Sequence, residues 1–136
     1  MSVEKNKESV RRLYEAINKA DFSHLEEFFA PDYVNRTMPN VKGVEGVRQL
    51  FAGWLDAFPD ARTVVDHIIG EGDFVMVTTT MTGTFKGKYG GFEPNGRKLT
   101  RTAAVLVRLR DGKQVEAWNY GDSLSFYRQL GLPVPD

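Results

Sequence analysis

Apolar residues in the first 58 positions recur at the spacing of α-helices. An opening helix is predicted by apolar positions at three- and four-residue intervals, namely Val10, Leu13, Tyr14 and Ile17. A later helix carries a wider apolar face, formed by Val47, Leu50, Phe51, Trp54, Leu55 and Phe58. Pro59 ends that helix because proline cannot donate to the helical ladder. Between the two, Ser23 and Glu26 form a capping-box pattern, which predicts a short helix that Pro31 stops.

After Pro59 the apolar pattern changes to a period of two, which is typical of β-strands. The segments rich in Val, Ile, Thr and aromatic residues are 61–70, 73–85, 98–110 and 113–122. Segment 86–97 is rich in glycine and is predicted to be a mobile loop. A short last helix is indicated by Leu124, Phe126, Tyr127 and Leu130, with Gly131 placed to end it.

This order of elements predicts the fold class. Helices come first and antiparallel strands follow, so we expect an α+β domain with helices packed on one face of a curved sheet. The 136 residues suit one domain with one core, spanning 1–136.

The sequence Arg110-Asp-Gly-Lys113 predicts how the last two strands pair. Asp-Gly is the preferred pair for a two-residue type I′ turn, so Arg110 would face Lys113. Continuing this register places Trp118, Tyr120 and the pair Arg101–Asp122 on one largely apolar face. An unpaired buried charge is costly, so Arg101 needs the partner that Asp122 supplies. The result is a predicted floor for a ligand pocket.

Several of these residues have two possible roles. Asp122 is either the N-cap of the last helix or a general acid/base, and the two roles can coexist. Arg101 is either half of a structural ion pair or a contact for an anion or oxyanion. Trp54, Trp118 and Tyr120 are either core or ligand wall.

Composition excludes several classes of function. The 18 basic and 18 acidic side chains balance, which gives no electrostatic reason to expect nucleic acid or a membrane as partner. The absence of Cys excludes thiol catalysis, and the two His lie outside any metal-spaced motif, so we expect no metal. The charged N-terminal residues and the lack of a long apolar stretch predict a soluble, cytoplasmic protein.

The chain resembles the SnoaL-like polyketide cyclase family, within the nuclear-transport-factor-2-like superfamily. The resemblance runs through segments 28–39, 43–60, 80–87, 94–100, 108–124 and 127–131. It implies a cone-shaped, curved antiparallel sheet with the N-terminal helices on its concave side, an α+β barrel around an apolar pocket. It also implies a homodimer and an aldol cyclisation without metal or organic cofactor, with a carboxylate at Asp122 as acid/base.

The sequence departs from that pattern at positions where relatives often carry ionisable or polar groups. Here those positions are Arg36, Phe85, Val105, Ala117 and Asn119. The first hypothesis is therefore a cofactor-independent cyclase or isomerase acting on a hydrophobic, carbonyl-bearing molecule. Asp122 would be the acid/base, and Arg101 would orient it or hold an oxyanion. The pocket would be formed by Trp118, Tyr120, Tyr33, Trp54 and Asn35.

Two alternatives stay open on the sequence. One is a non-catalytic module of the same fold that binds a small molecule or dimerises. The other is an epoxide-hydrolase-like hydrolase, which would need an Arg between two Asp residues.

Overall fold

The computed structural model describes residues 2–135. Its helices are α1 (Val3–Asn18), α2 (Gly43–Ala57) and α3 (Ser123–Leu130). Its strands are β1 (Phe29–Asn35), β2 (Arg62–Glu71), β3 (Phe74–Thr84), β4 (Lys98–Arg110) and β5 (Lys113–Gly121). The strands form one sheet in the order β1-β5-β4-β3-β2, which is not closed by hydrogen bonds. The predicted α+β fold is confirmed.

The first strand corrects two predictions. Segment 21–33 holds only a short 3₁₀ turn at Leu25–Glu27, followed by β1, rather than a helix that ends at Pro31. The hydroxyl of Ser23 donates to Asp21 and caps no helix. β1 pairs in parallel with β5, so the sheet is mixed and not wholly antiparallel. Burial of Phe29 and Tyr33 favours the strand over the local helix signal.

The helices cover one face of the sheet, which we call the inner face. In β3 and β4 this face carries the odd-numbered residues, among them Val75, Val77, Leu99 and Val107, which are all buried. α1 packs against β2 and β3, α2 against β1, and α3 against β4. The even-numbered residues of β3 and β4 form the opposite, outer face.

The hairpin between β4 and β5 confirms the predicted turn but not the predicted register. Asp111 and Gly112 have φ of 53° and 78°, as a type I′ turn requires. Leu109 faces Gln114 as predicted, but Arg108 faces Glu116, so Val115 is an extra residue in a β-bulge. From the bulge onward the odd-numbered residues of β5 lie on the inner face.

The buried apolar side chains form two clusters. The first joins α1, β1 and α2 to the hairpin-turn end of the sheet and includes Val10, Phe29, Val47 and Val107. The second lies at the other end, where the end of α2, the loop 86–97 and α3 meet around Phe58. Within residues 2–135 no helix is both long and apolar enough to cross a membrane.

Candidate functional site

A row of small side chains crosses the inner face between the two apolar clusters. Thr79 of β3 pairs with Ala103 of β4, and Ala103 pairs with Gly121 of β5. Along the inner face of β4 the two ends are buried, whereas Arg101, Ala103 and Val105 in the middle are partly exposed. Small side chains and partial exposure distinguish this middle part of the inner face, and we call Thr79, Ala103 and Gly121 the central row.

Arg101 borders the central row on its α3 side. Its guanidinium carbon lies 5.6 Å from the ring centroid of Trp54, the geometry of a cation–π contact. A side chain at Gly121 would bring a Cβ to 3.0 Å from Arg101 Nη2, so the guanidinium lies against the bare backbone of that glycine. Within residues 2–135 the Arg101 side chain takes part in no hydrogen bond or ion pair.

The charge of Arg101 reaches two tyrosines. Burial, followed by the nearby phenol of Tyr33, raises the pKa of Tyr14 to about 12, and Arg101 opposes the rise. Burial also raises the pKa of Tyr89, with a contribution from Tyr127, and Arg101 again opposes the rise. Both phenols are therefore neutral hydrogen-bond donors at physiological pH. Tyr14 was absent from the sequence-based site because helical spacing marks it only as an apolar position of α1.

Asn35, predicted to offer a hydrogen bond to a ligand, has its amide occupied by the protein. Its Oδ1 accepts hydrogen bonds from the Thr37 amide and hydroxyl and from the Met38 amide, at 2.9–3.1 Å. Its Nδ2 donates to Asn119 Oδ1 at 3.0 Å and to the Tyr33 hydroxyl at 3.3 Å. Asn35 thus fixes the turn after β1 and joins it to β5.

Tyr33 lies in the first apolar cluster, on the edge of this amide network. Its ring packs edge-to-face on Phe29 at 4.9 Å and is 4% exposed. Burial raises its pKa to about 12, and the hydrogen bond from Asn35 opposes the rise. Tyr33 therefore contributes a buried wall and its hydroxyl is already in contact with Asn35.

Asp122 is the N-cap of α3, as one of its two predicted roles required. Its Oδ1 accepts a hydrogen bond of 2.9 Å from the Ser125 amide. The predicted Asp122–Arg101 pair does not form, because the bulge at Val115 places Gly121, not Asp122, beside that part of β4. The second carboxylate oxygen accepts no hydrogen bond within residues 2–135.

The predicted aromatic floor is also separated from Arg101. Trp118 faces Leu106 and Tyr120 faces Ala104, so both lie on the outer face. Trp118 packs on Phe74 at 6.3 Å, and Tyr120 is 52% exposed. Tyr120 and Asp122 border a shallow outer depression of about 920 Å³ that also contains Asp66 and His67.

Trp54 is the one predicted aromatic that the structure brings to Arg101. Its other side packs in the second cluster, at 4.9 Å from Phe58, 5.7 Å from Tyr89 and 5.8 Å from Phe126. Because Tyr89 comes from the glycine-rich loop, that loop forms part of the wall beside the central row. Residues 2–135 contain no group of three or more His, Cys, Asp or Glu side chains arranged to hold a metal.

Comparison with known proteins matches most of the chain to one family. A family model described as SnoaL-like polyketide cyclase matches residues 7–130. Among curated proteins, the aklanonic acid methyl ester cyclase DauD from Streptomyces sp. (strain C5) is 28% identical over 131 residues, covering 93% of this chain and 81% of DauD.

Solved structures agree over nearly the whole chain. AclR from Streptomyces galilaeus has a TM-score of 0.85 and 30% identity, covering 97% of this chain and 100% of AclR. IdmH from Streptomyces antibioticus has a TM-score of 0.80 and 30% identity, covering 93% of this chain and 99% of IdmH.

Proposed function

Because the chain belongs to the SnoaL-like polyketide cyclase family, we propose that it is a cofactor-independent enzyme that closes a ring in a hydrophobic, carbonyl-bearing small molecule. The observation that carries this proposal is the central row with the unpaired guanidinium of Arg101 at its border. The aromatic side chains of Trp54 and Tyr14 on the inner side of the sheet suit an apolar ligand, and one cationic group suits a reaction in which oxygen gains negative charge.

The proposed reaction is an intramolecular aldol condensation with Asp122 as acid/base. The carboxylate takes a proton from a carbon next to a carbonyl, and the carbon–oxygen fragment that remains is an enolate. The enolate carbon forms a bond to a second carbonyl carbon, whose oxygen becomes an alkoxide and takes the proton back. Arg101 stabilises the enolate oxygen. Support for Asp122 is its second oxygen, which accepts no hydrogen bond within residues 2–135. Asp122 lines the outer depression directly after Gly121, so the substrate would have to reach both Asp122 and Arg101 around the end of β5.

A second candidate is a binding module of the same fold without catalysis. One observation favours it: Asp122 is exposed and one of its oxygens already caps α3. The hydrolase alternative lacks the Arg between two Asp residues that it requires, because no Asp within residues 2–135 forms an ion pair with Arg101.

Substitution of Asp122 separates catalysis from capping. Asn is as good an N-cap as Asp, so Asp122→Asn removes the base and keeps the cap, whereas Asp122→Ala removes both. With aklanonic acid methyl ester and the free acid each offered as substrate and chromatography as readout, we expect Asp122→Asn to lose about 10²–10⁴-fold in turnover of whichever the parent converts, with unchanged thermal stability. Asp122→Ala should also lose about 1 kcal/mol of stability.

Turnover by Asp122→Asn at the parent rate would exclude the acid/base role. A parent that binds this ester without converting it would favour the binding module.

We also propose that the outer face is the contact between two copies of the chain. Apolar side chains cover its centre, namely Phe74, Met76, Leu106, Trp118 and Tyr120. Phe74 is 39% exposed and Tyr120 is 52% exposed. A contiguous apolar patch with such exposed side chains is unusual on a monomer. Sedimentation should give twice the 15.4 kDa chain mass for the parent. Trp118→Glu should give the single-chain mass, and the control Val134→Glu, at an exposed apolar residue of the tail, should not. A monomeric parent would refute the proposal.

A further inference from the structure

Arg101 differs from three arginines on the outer side of the sheet. Arg36 and Arg108 each bind Glu116 at 2.7 Å, and Arg110 binds Asp32 at 2.9 Å, all on the outer side. Arg101 alone among these four lies on the inner face, and no carboxylate contacts it within residues 2–135. The protein's own carboxylates thus neutralise these three outer arginines, whereas no carboxylate does so for Arg101 within residues 2–135.

The surroundings of Arg101 leave its donor groups unused. The Trp54 ring attracts the positive charge but accepts none of the five N–H bonds in the guanidinium fork. The nearby phenols of Tyr14 and Tyr89 are neutral donors at physiological pH and bring no negative charge. Guanidinium donors that find no acceptor within residues 2–135, beside small and partly exposed side chains, favour an acceptor in the ligand.

Gly121 keeps the space that the guanidinium itself occupies. A Cβ at this position would approach Arg101 Nη2 to 3.0 Å, closer than an ordinary van der Waals contact. The backbone of Gly121 does not have a positive φ, so the glycine is not required by backbone conformation. The missing side chain therefore lets the guanidinium lie close against the backbone of β5.

From this geometry we infer that the site selects ligands bearing an ionised carboxylate, which Arg101 binds through its planar fork, over the corresponding neutral methyl esters. A carboxylate matches the spacing of two guanidinium N–H groups and loses that match when one oxygen is methylated. The inference deepens the proposed function by naming the substrate class: a hydrophobic keto acid. It differs from the relative DauD, whose name gives a methyl ester.

A matched pair of probes tests this preference without any turnover. Anthraquinone-2-carboxylic acid and its methyl ester share one flat apolar body and differ in charge. Isothermal titration at neutral pH should show the acid binding the parent about 10- to 100-fold more tightly, because a hydrogen-bonded charge pair is formed only with the acid. Arg101→Met should abolish the preference, and Arg101→Lys should keep part of it because its point charge lacks the fork.

Two further variants protect the test from loss of folding. Gly121→Ala keeps Arg101 but pushes its guanidinium, so the preference for the acid should shrink several-fold. Arg110→Met removes an outer arginine at the hairpin turn and should leave the preference unchanged. Equal affinity of the parent for acid and ester, no binding of the acid up to about 1 mM, or an unchanged preference in Arg101→Met would each overturn the inference. Loss of turnover in Asp122→Asn bears only on the proposed reaction, so the two failures are distinguishable.

Discussion

Glu116 joins three parts of the sheet through one carboxylate. Its Oε1 accepts from Arg108 Nε on β4 and its Oε2 from Arg36 Nε after β1, both at 2.7 Å. The hydrogen bond from Arg108, followed by that from Arg36, holds the pKa of Glu116 below its ordinary value. The carboxylate is therefore more stable as an anion in the folded chain than in the unfolded one.

This lowered pKa predicts a dependence of stability on pH. The stabilisation by Glu116 is present above its unfolded pKa, and it is lost as the pH falls through the lower folded pKa. Denaturant titrations across acidic pH should show the parent losing stability in this range. Glu116→Gln should flatten that part of the profile, while Glu15→Gln, at an exposed glutamate of α1, should follow the parent. An acid profile of Glu116→Gln that matches the parent would contradict the role of the two-arginine contact.

The residue-scale predictions from sequence succeeded where the cause is local. The Asp122 cap and the Gly131 terminus, with φ of 67°, depend on a few neighbouring residues, and both are confirmed. The partner of Arg101 depends on counting residues along two strands, and one bulged residue was enough to make that prediction wrong.

At the scale of elements, two glycines show opposite constraints. Gly53 lies in α2, is exposed, and has no atom within 4 Å of the place where a Cβ would lie. Gly87 follows β3, and a Cβ there would lie 1.9 Å from the Asp56 carbonyl oxygen. At Gly87 the loop amides of Lys86 and Gly87 both donate to the Ala57 carbonyl, which attaches the loop to the end of α2.

Alanine substitutions should therefore change stability in opposite directions. Gly53→Ala should stabilise the fold by about 0.5–1 kcal/mol, because alanine is the better helix former and meets no neighbour. Gly87→Ala should destabilise it, because the loop has to move away from the carbonyl that holds it. Denaturant midpoints of the two variants against the parent give the signs. A Gly87→Ala protein as stable as the parent would mean that the loop attaches differently.

The elements themselves were predictable to the extent that their signals are periodic. α1, α2, α3 and β2 to β5 follow from the spacing of apolar residues and from the turn residues between them. β1 does not, because Pro31 and the capping-box pattern favour a helix locally. Its parallel pairing with β5, about eighty positions further along the chain, decides its conformation.

At the scale of the whole molecule, the fold depends on two apolar clusters with the small side chains of the central row between them. Phe58 is at the centre of the second cluster, fully buried, and packs on Trp54, Phe85 and Phe126. The cluster joins α2, the loop 86–97 and α3, so it also fixes the wall beside Arg101. The sequence predicted a core but not its separation into two clusters. That separation depends on which small residues lie on the inner face, and the bulge in β5 decides this for its strand.

Truncation of Phe58 should therefore cost far more than truncation of a surface residue. We expect Phe58→Ala to lose about 3–5 kcal/mol in the free energy of unfolding, since it removes a buried ring and leaves a cavity. Leu124→Ala is the control, because Leu124 is 44% exposed on α3, and its change should stay near 0.5 kcal/mol. Thermal or denaturant unfolding measures both. A Phe58→Ala loss as small as that of Leu124→Ala would show that the second cluster is not a packed core.

The bulge at Val115 has a consequence for how this chain could change by mutation. Deleting that one residue would remove the bulge and leave the partners unchanged, because Leu109 would still face Gln114 and Arg108 would still face Glu116. Trp118 and Tyr120 would keep the outer face, and Ala117 and Asn119 the inner one. The register that sets Asp122 opposite Arg101 requires Val115 to pair with Arg108, so a chain shortened at this position would leave the guanidinium as free of Asp122 as it is here.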